Sequence, residues 1–142
     1  MRIGLWGFLG VALLAACGGP TGGGSPDGPG DPGDVASVRL FDASGVELTF
    51  HMPLPAGDTI RVEVRMYAAS GRHVTSVTGG EALDFGFTPT TLASSTPVAG
   101  QPLMRNVTPS APPGTLGTLE VALHFPADAS TKTFGPFDVL VH

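Results

Sequence analysis

From about Val35 onward, apolar and polar residues alternate with a period of two, the pattern of strands that bury one face. In VELTFH the alternation puts Val46, Leu48 and Phe50 on one side and Glu47, Thr49 and His51 on the other. IRVEVRMY turns Ile60, Val62, Val64 and Met66 inward, and Arg61, Glu63, Arg65 and Tyr67 outward. LDFGF sets Leu83, Phe85 and Phe87 against Asp84 and Gly86. LEVALHF sets Leu119, Val121, Leu123 and Phe125 against Glu120, Ala122 and His124, and FDVLVH points Phe137, Val139 and Val141 inward. Weaker strands in SVRLFD, RHVTSV and PLMRNVT bring the total to about eight. Turn signals fall between them: ASG at 43–45, PAG at 55–57, ASG at 69–71, GG at 79–80, PVAG at 97–100 and PPG at 112–114. TPTTLASST has room for one helical turn around Leu92, and nothing after Val35 holds a sustained helical period.

Short alternating strands with regular turns predict an all-β domain over 35–142, with antiparallel sheets buried on one face. About seven to eight strands in a domain of this length resemble the immunoglobulin-like β-sandwich. GDTIRVEVRMYAASGR, Gly57 to Arg72, resembles the strand-and-turn start of such modules in bacterial surface proteins. GTLGTLEVALHF and FGPFDVLVH resemble their closing hairpin. The Cys–Trp–Cys signature of antibody domains is absent, because the single Trp and single Cys both lie before residue 18. Matching the inward sets of that hairpin places Leu123 opposite Phe137 and Leu119 opposite Val141. His124 and His142 then sit about 20 Å apart.

Before Val35 the pattern stops. Gly18 to Asp34 contains only Gly, Pro, Asp, Ser and Thr, so it has nothing with which to build a core and is expected to be a flexible tether. Ahead of it, Arg2 supplies a positive start, Ile3 to Leu14 an apolar run, and Ala15 and Ala16 small residues, the anatomy of an export signal over 1–16. An apolar stretch ending at Ala16 falls short of the roughly 20 residues of a permanent transmembrane helix. LAAC, Leu14-Ala15-Ala16-Cys17, resembles the lipobox of bacterial lipoproteins. That resemblance implies cleavage before Cys17, diacylglyceryl attachment to its thiol, and a lipid-anchored protein of the cell envelope. Gly18, where an Asp would imply retention at the inner membrane, implies sorting to the outer membrane where the organism has one. Acyl chains contribute about 0.8 kcal/mol per buried CH₂, and two or more make the anchoring stable.

Composition narrows the chemistry. A net charge of −5 with seven Lys and Arg argues against nucleic acid. One cysteine excludes an intramolecular disulfide. The histidines after the signal are His51, His73, His124 and His142, and the methionines are Met52, Met66 and Met104. A Met/His set of this kind is similar to that of periplasmic copper carriers, and soft sulfur and imidazole suit copper. Only His51 and Met52 are adjacent, however, and Met66 has the parity of the core. The expectation is therefore no bound metal, with a metal or small-ligand carrier using His51 and Met52 as the alternative.

No Gly-x-Ser-x-Gly turn exists for a nucleophile, and Ser94 and Ser95 lie in a Thr/Ser-rich segment. The carboxylates, from Asp42 to Asp138, scatter over turns and outward positions rather than facing one another as a pair. Tyr67 is an outward aromatic more suited to cross-strand packing than to a sugar platform. The sequon Asn106–Thr108 is a three-residue match of low specificity, and the glycine runs lack the strand and helix that a phosphate loop requires. The expected activity is non-catalytic, binding or structural, with no cofactor. The expected partners are the membrane, through lipid on Cys17, and a protein of the envelope.

Overall fold

The structure, a computed structural model, describes residues 27–142. The signal segment, Cys17 and the first part of the tether lie outside the described residues. The described chain is all-β. Its strands are β1 (Asp27–Gly30), β2 (Ser37–Asp42), β3 (Met52–Leu54), β4 (Ile60–Tyr67), β5 (His73–Val77), β6 (Ala82–Thr88), β7 (Ala93–Val98), β8 (Gln101–Pro109), β9 (Leu116–Phe125) and β10 (Ser130–Val141). The helical content is one 3-10 turn, Pro32–Asp34, and no helix among the described residues is long and apolar enough to cross a membrane.

The first sheet runs β1-β5-β4-β8-β7, with β2 also paired to β4; the second runs β3-β10-β9-β6. The inward positions of both sheets meet in one core. Val62, Val64 and Met66 of β4 face Leu119, Val121, Leu123 and Phe125 of β9, and all are almost fully buried. Alternation is thus realised as the pattern predicts in β4, β6 and β9. Each such aliphatic or aromatic side chain contributes about 1.5–3 kcal/mol on burial.

Several expectations need correction. The sheets are mixed rather than purely antiparallel, because β1 pairs β5 in parallel and β3 pairs β10 in parallel. Parallel neighbours require a long crossover, and each of these pairs is separated by intervening strands of both sheets. VELTFH is not a strand. Val46 and Phe50 are 58% and 86% exposed, and Leu48 alone is buried. The reason is a turn capped by Asp42, whose Oδ1 accepts from Ser44 N, Ser44 Oγ and Val46 N at 2.7–2.8 Å. The chain then doubles back beside β2, with Leu48 N donating to Leu40 O, and Met52 and Leu54 of β3 take the core places. TPTTLASST forms no helix: Leu92 is buried and Ala93 begins β7.

The final hairpin closes more tightly than matched parities predict. Phe125 pairs with Ser130 and His124 with Thr131, whereas Phe137 pairs with Leu119. A bulge between Phe134 and Phe137 restores the inward phase. Gly135 sits in that bulge at φ 116, where a Cβ would meet the Leu119 carbonyl oxygen at 2.9 Å. Only glycine fits both the dihedral and the space.

Residues Asp27–Asp34, tether by composition, are docked on the domain. β1 lies along β5, with Asp27 beside His73 and Gly30 beside Val77. No side chain of this segment is buried; burial begins at Val35, which is 1% exposed.

Candidate functional site

The outer face of the first sheet gathers the domain's polar chemistry. On β4 the inward phase of Val62, Val64 and Met66 forces Arg61, Glu63, Arg65 and Tyr67 outward. Antiparallel pairing with β2 sets Arg39 opposite Arg65 and Phe41 opposite Glu63. The side chains then interact along the diagonals. The Arg65 guanidinium lies 4.1 Å from the Phe41 ring centroid, and that of Arg39 lies 4.9 Å from Tyr67. Tyr67 in turn packs on His73, with ring centroids 5.4 Å apart. Arg65 grips Glu63 with a two-pronged fork, Nε to Oε1 and Nη2 to Oε2, each 2.9 Å. Arg39 pairs more loosely with Glu47 at 3.8 Å.

At one end of this face a groove of ≈ 370 Å³ runs between the 42–45 loop, Arg61 and Glu63–Arg65, and across to Gln101 and Met104 of β8. Hydrogen bonds set its charges. The Ser44 hydroxyl, and then the Val46 N–H, hold the Asp42 carboxyl below the usual carboxylate range. The Arg65 fork does the same for Glu63 against the opposing effect of burial, and Glu63 raises Arg65 in return. Arg61 differs from its neighbours. Among the described residues the other arginines each have a carboxylate within 4.0 Å, in the pairs Arg39–Glu47, Arg65–Glu63, Arg72–Asp34 and Arg105–Asp84. Arg61 has no such partner and no side-chain hydrogen bond among the described residues. The groove thus mixes a guanidinium and an amide as donors with carboxylate acceptors and a Met104 thioether. It can hold a polar surface by hydrogen bonds. The one hydroxyl in its lining, that of Ser44, donates to Asp42 Oδ1 at 2.7 Å within the turn.

The structure separates the residues that the sequence singled out for metal. Met52, the first residue of β3, is fully buried, and His51, just before the strand, is exposed. Met66 is also fully buried. His73 packs on Tyr67, and His124 Nδ1 lies 2.9 Å from Thr131 Oγ1. No group of three or more His, Cys, Asp or Glu side chains among the described residues is placed to hold a metal ion. His51 instead borders a more apolar groove of ≈ 440 Å³ with Leu116 and Asp138. Tyr67 is no open platform, because Arg39 covers its face and His73 flanks it.

Sequence reasoning missed Phe41 and Arg39. The signal was present in SVRLFD: once Val38 and Leu40 point inward, Arg39 and Phe41 must share the outer face with Arg65. Searches against protein-family models, curated proteins and solved structures return no match, so the functional reading rests on this chain's own residues.

Proposed function

We propose that this chain is a lipid-anchored protein of the bacterial cell envelope whose immunoglobulin-like β-sandwich is a non-catalytic binding module. The observation that carries the proposal is the order of parts along the chain. An export signal ends in the lipobox LAAC, and ten residues after Cys17 the first strand begins at Asp27. The thioether to Cys17 anchors the chain to a membrane, the outer one where the organism has two.

The placement of the groove supports a binding role. The tether joins the first sheet at Asp27, beside His73 and thus at the Tyr67 end of β4. The groove lies at the Arg61 end of the same strand. Arg61, at the far end of the groove, lies six strand residues, about 20 Å, from Tyr67. The groove therefore lies away from the attachment, where an envelope partner reaches it. The two-sheet arrangement, in which the chain crosses between sheets at β2–β3, β3–β4, β5–β6, β6–β7 and β8–β9, supports the immunoglobulin-like reading. The parallel β1–β5 and β3–β10 pairs are additions at its margins.

Mass spectrometry of the native protein together with Cys17→Ser tests the anchoring. The expected native product starts at Cys17 and carries acyl mass, and Cys17→Ser leaves an unprocessed precursor that no longer pellets with membranes. A native product that retains Met1 and lacks acyl mass overturns the proposal. In-cell crosslinking from a photoreactive residue at position 104 tests the groove. A specific captured partner that Arg61→Glu abolishes is expected; the same capture from position 120, on the other sheet, would overturn the assignment of the groove.

A further inference from the structure

The segment that composition marks as tether is partly folded back on the domain, and the way it is held is unlike the rest of the fold. Backbone groups and two long cations supply the attachment. Gly30 O accepts from Thr78 N at 2.9 Å and from Thr78 Oγ1 at 3.3 Å. Gly28 O accepts from Arg72 Nη1 at 3.3 Å, and Arg72 Nη2 lies 3.8 Å from Asp34 Oδ2. The 3-10 turn closes on itself, with Asp34 N donating to Asp31 O and Asp31 N to Asp34 Oδ2, both at 2.9 Å. No side chain between Asp27 and Asp34 is buried. At Val35 the character changes. Its side chain is in the core, its carbonyl accepts from Lys132 Nζ at 2.8 Å, and Ala36 N donates to Tyr67 O at 2.8 Å. Among the described residues the core thus ends at Val35, and Asp27–Asp34 is attached without apolar burial, the term that dominates folding elsewhere.

We propose that Asp27–Asp34 is a releasable strap that gives the membrane tether two lengths. It rests on the lipid-anchor reading above for its biological meaning, though not for its physics. With the strap docked, ten residue steps lead from Cys17 to the folded domain at Asp27, a contour of at most about 33 Å. With it released, the contour runs from Cys17 to Val35, and its maximum rises to about 59 Å. Release uncovers the outer edge of β5, which pairs with β4 only at Met66–Val74 and Tyr67–His73. Docking therefore covers an open edge, a standard hazard of β-sheets. Release costs hydrogen bonds to backbone groups and one partly exposed ion pair, Arg72–Asp34, but opens no core. Segments held this way open locally, without global unfolding.

Two glycines of the strap make the proposal testable. A Cβ on Gly30 would sit 3.1 Å from Val74 Cγ1 and 3.1 Å from Asp34 Oδ2, whereas a Cβ on Gly28 meets nothing within 4 Å. Gly30→Val wedges the strap off β5, and Gly28→Ala leaves it seated. The Thr78 amide reports the state, because it donates to Gly30 O. NMR-detected hydrogen exchange is measured on the full chain carrying Cys17→Ser, so the result is independent of lipidation. A failed anchor shows instead in the membrane-pelleting assay of the native protein. Thr78 is expected to exchange at least about tenfold faster than the amides of β9, which is paired on both sides, and Gly30→Val to accelerate it about tenfold more. Gly28→Ala is expected to change neither rate. The proposal is overturned if Thr78 exchanges at the β9 rate, if Gly30→Val leaves it unchanged, or if Gly30→Val strips protection from β9 as well.

Discussion

Arg105 of β8 and Asp84 of β6 tie the two sheets together: Arg105 Nη2 lies 3.2 Å from Asp84 Oδ1 and also donates to the Leu83 carbonyl. Arg105 is paired with Val62, so it occupies an inward position of the first sheet, and its side chain is 14% exposed. An inward cation at the margin of the core is tolerated because it reaches the edge strand of the facing sheet. It blunts the β6 edge, which would otherwise present open backbone groups to another chain.

Arg105→Met keeps the apolar stem and deletes the charged donor. Losing a hydrogen bond to a charged group costs about 1.5–3 kcal/mol, and urea unfolding is expected to show a loss of that size. Asp84 is 63% exposed, so Asp84→Asn is expected to cost less than about 1 kcal/mol. Equal losses from the two variants would mean that the Leu83 carbonyl bond matters little.

Acid should weaken the domain through a few defined groups. Asp42, Glu63 and Asp128 are all held below the usual carboxylate range. The causes, largest first, are the hydroxyl of Ser44, the fork of Arg65 and the hydroxyl of Ser130, respectively. A carboxylate depressed on folding contributes stability that is present above its unfolded pKa of about 4 and is lost as pH falls through the lower folded value. Stability is therefore expected to be flat from neutral pH to about pH 5 and to decline below about pH 4. Side-chain carboxyl NMR titration is expected to place all three midpoints below that of free carboxylates. Glu63→Gln should flatten part of the decline; an unchanged profile would show that the Arg65 fork does not contribute to it.

The carrier alternative makes an opposite prediction for Met52 and His51. Met52 is fully buried, so Met52→Ala is expected to cost about 2–5 kcal/mol as an ordinary core truncation. His51→Ala, at an exposed position, is expected to stay within about 0.5 kcal/mol. Neither Cu(I) nor Zn(II) is expected to shift the thermal midpoint. A ligand at a hundred times its Kd would add about 2.7 kcal/mol, and a shift of that order that His51→Ala removes would restore the carrier reading.

The strands that were legible in the sequence share one property: they lie in the middle of a sheet or pair along their whole length. β4, β6 and β9 alternate cleanly because one face of each is buried from end to end. β7, ASSTPV, was not legible, since it is an edge strand whose only fully apolar inward position is Ala93. VELTFH misled because alternation also arises by chance. There the side chains of Asp42 and Ser44 settled the backbone before the apolar residues could. The groove was half legible. Arg61, Glu63 and Arg65 follow from the phase of β4, but Gln101 and Met104 join them only through the pairing of β4 with β8.

By itself the sequence determined the all-β class, the inward and outward faces of the long strands, and the place where burial begins among the described residues, at Val35. These follow from local order, because the pleat sends neighbouring side chains to opposite faces and water sorts them. Only the tertiary structure decided that β1 and β3 pair in parallel, that the last hairpin carries a bulge, and that a glycine- and proline-rich segment lies docked along β5. Those outcomes depend on backbone groups finding partners far along the chain, and a backbone hydrogen bond leaves almost no imprint on the choice of side chain.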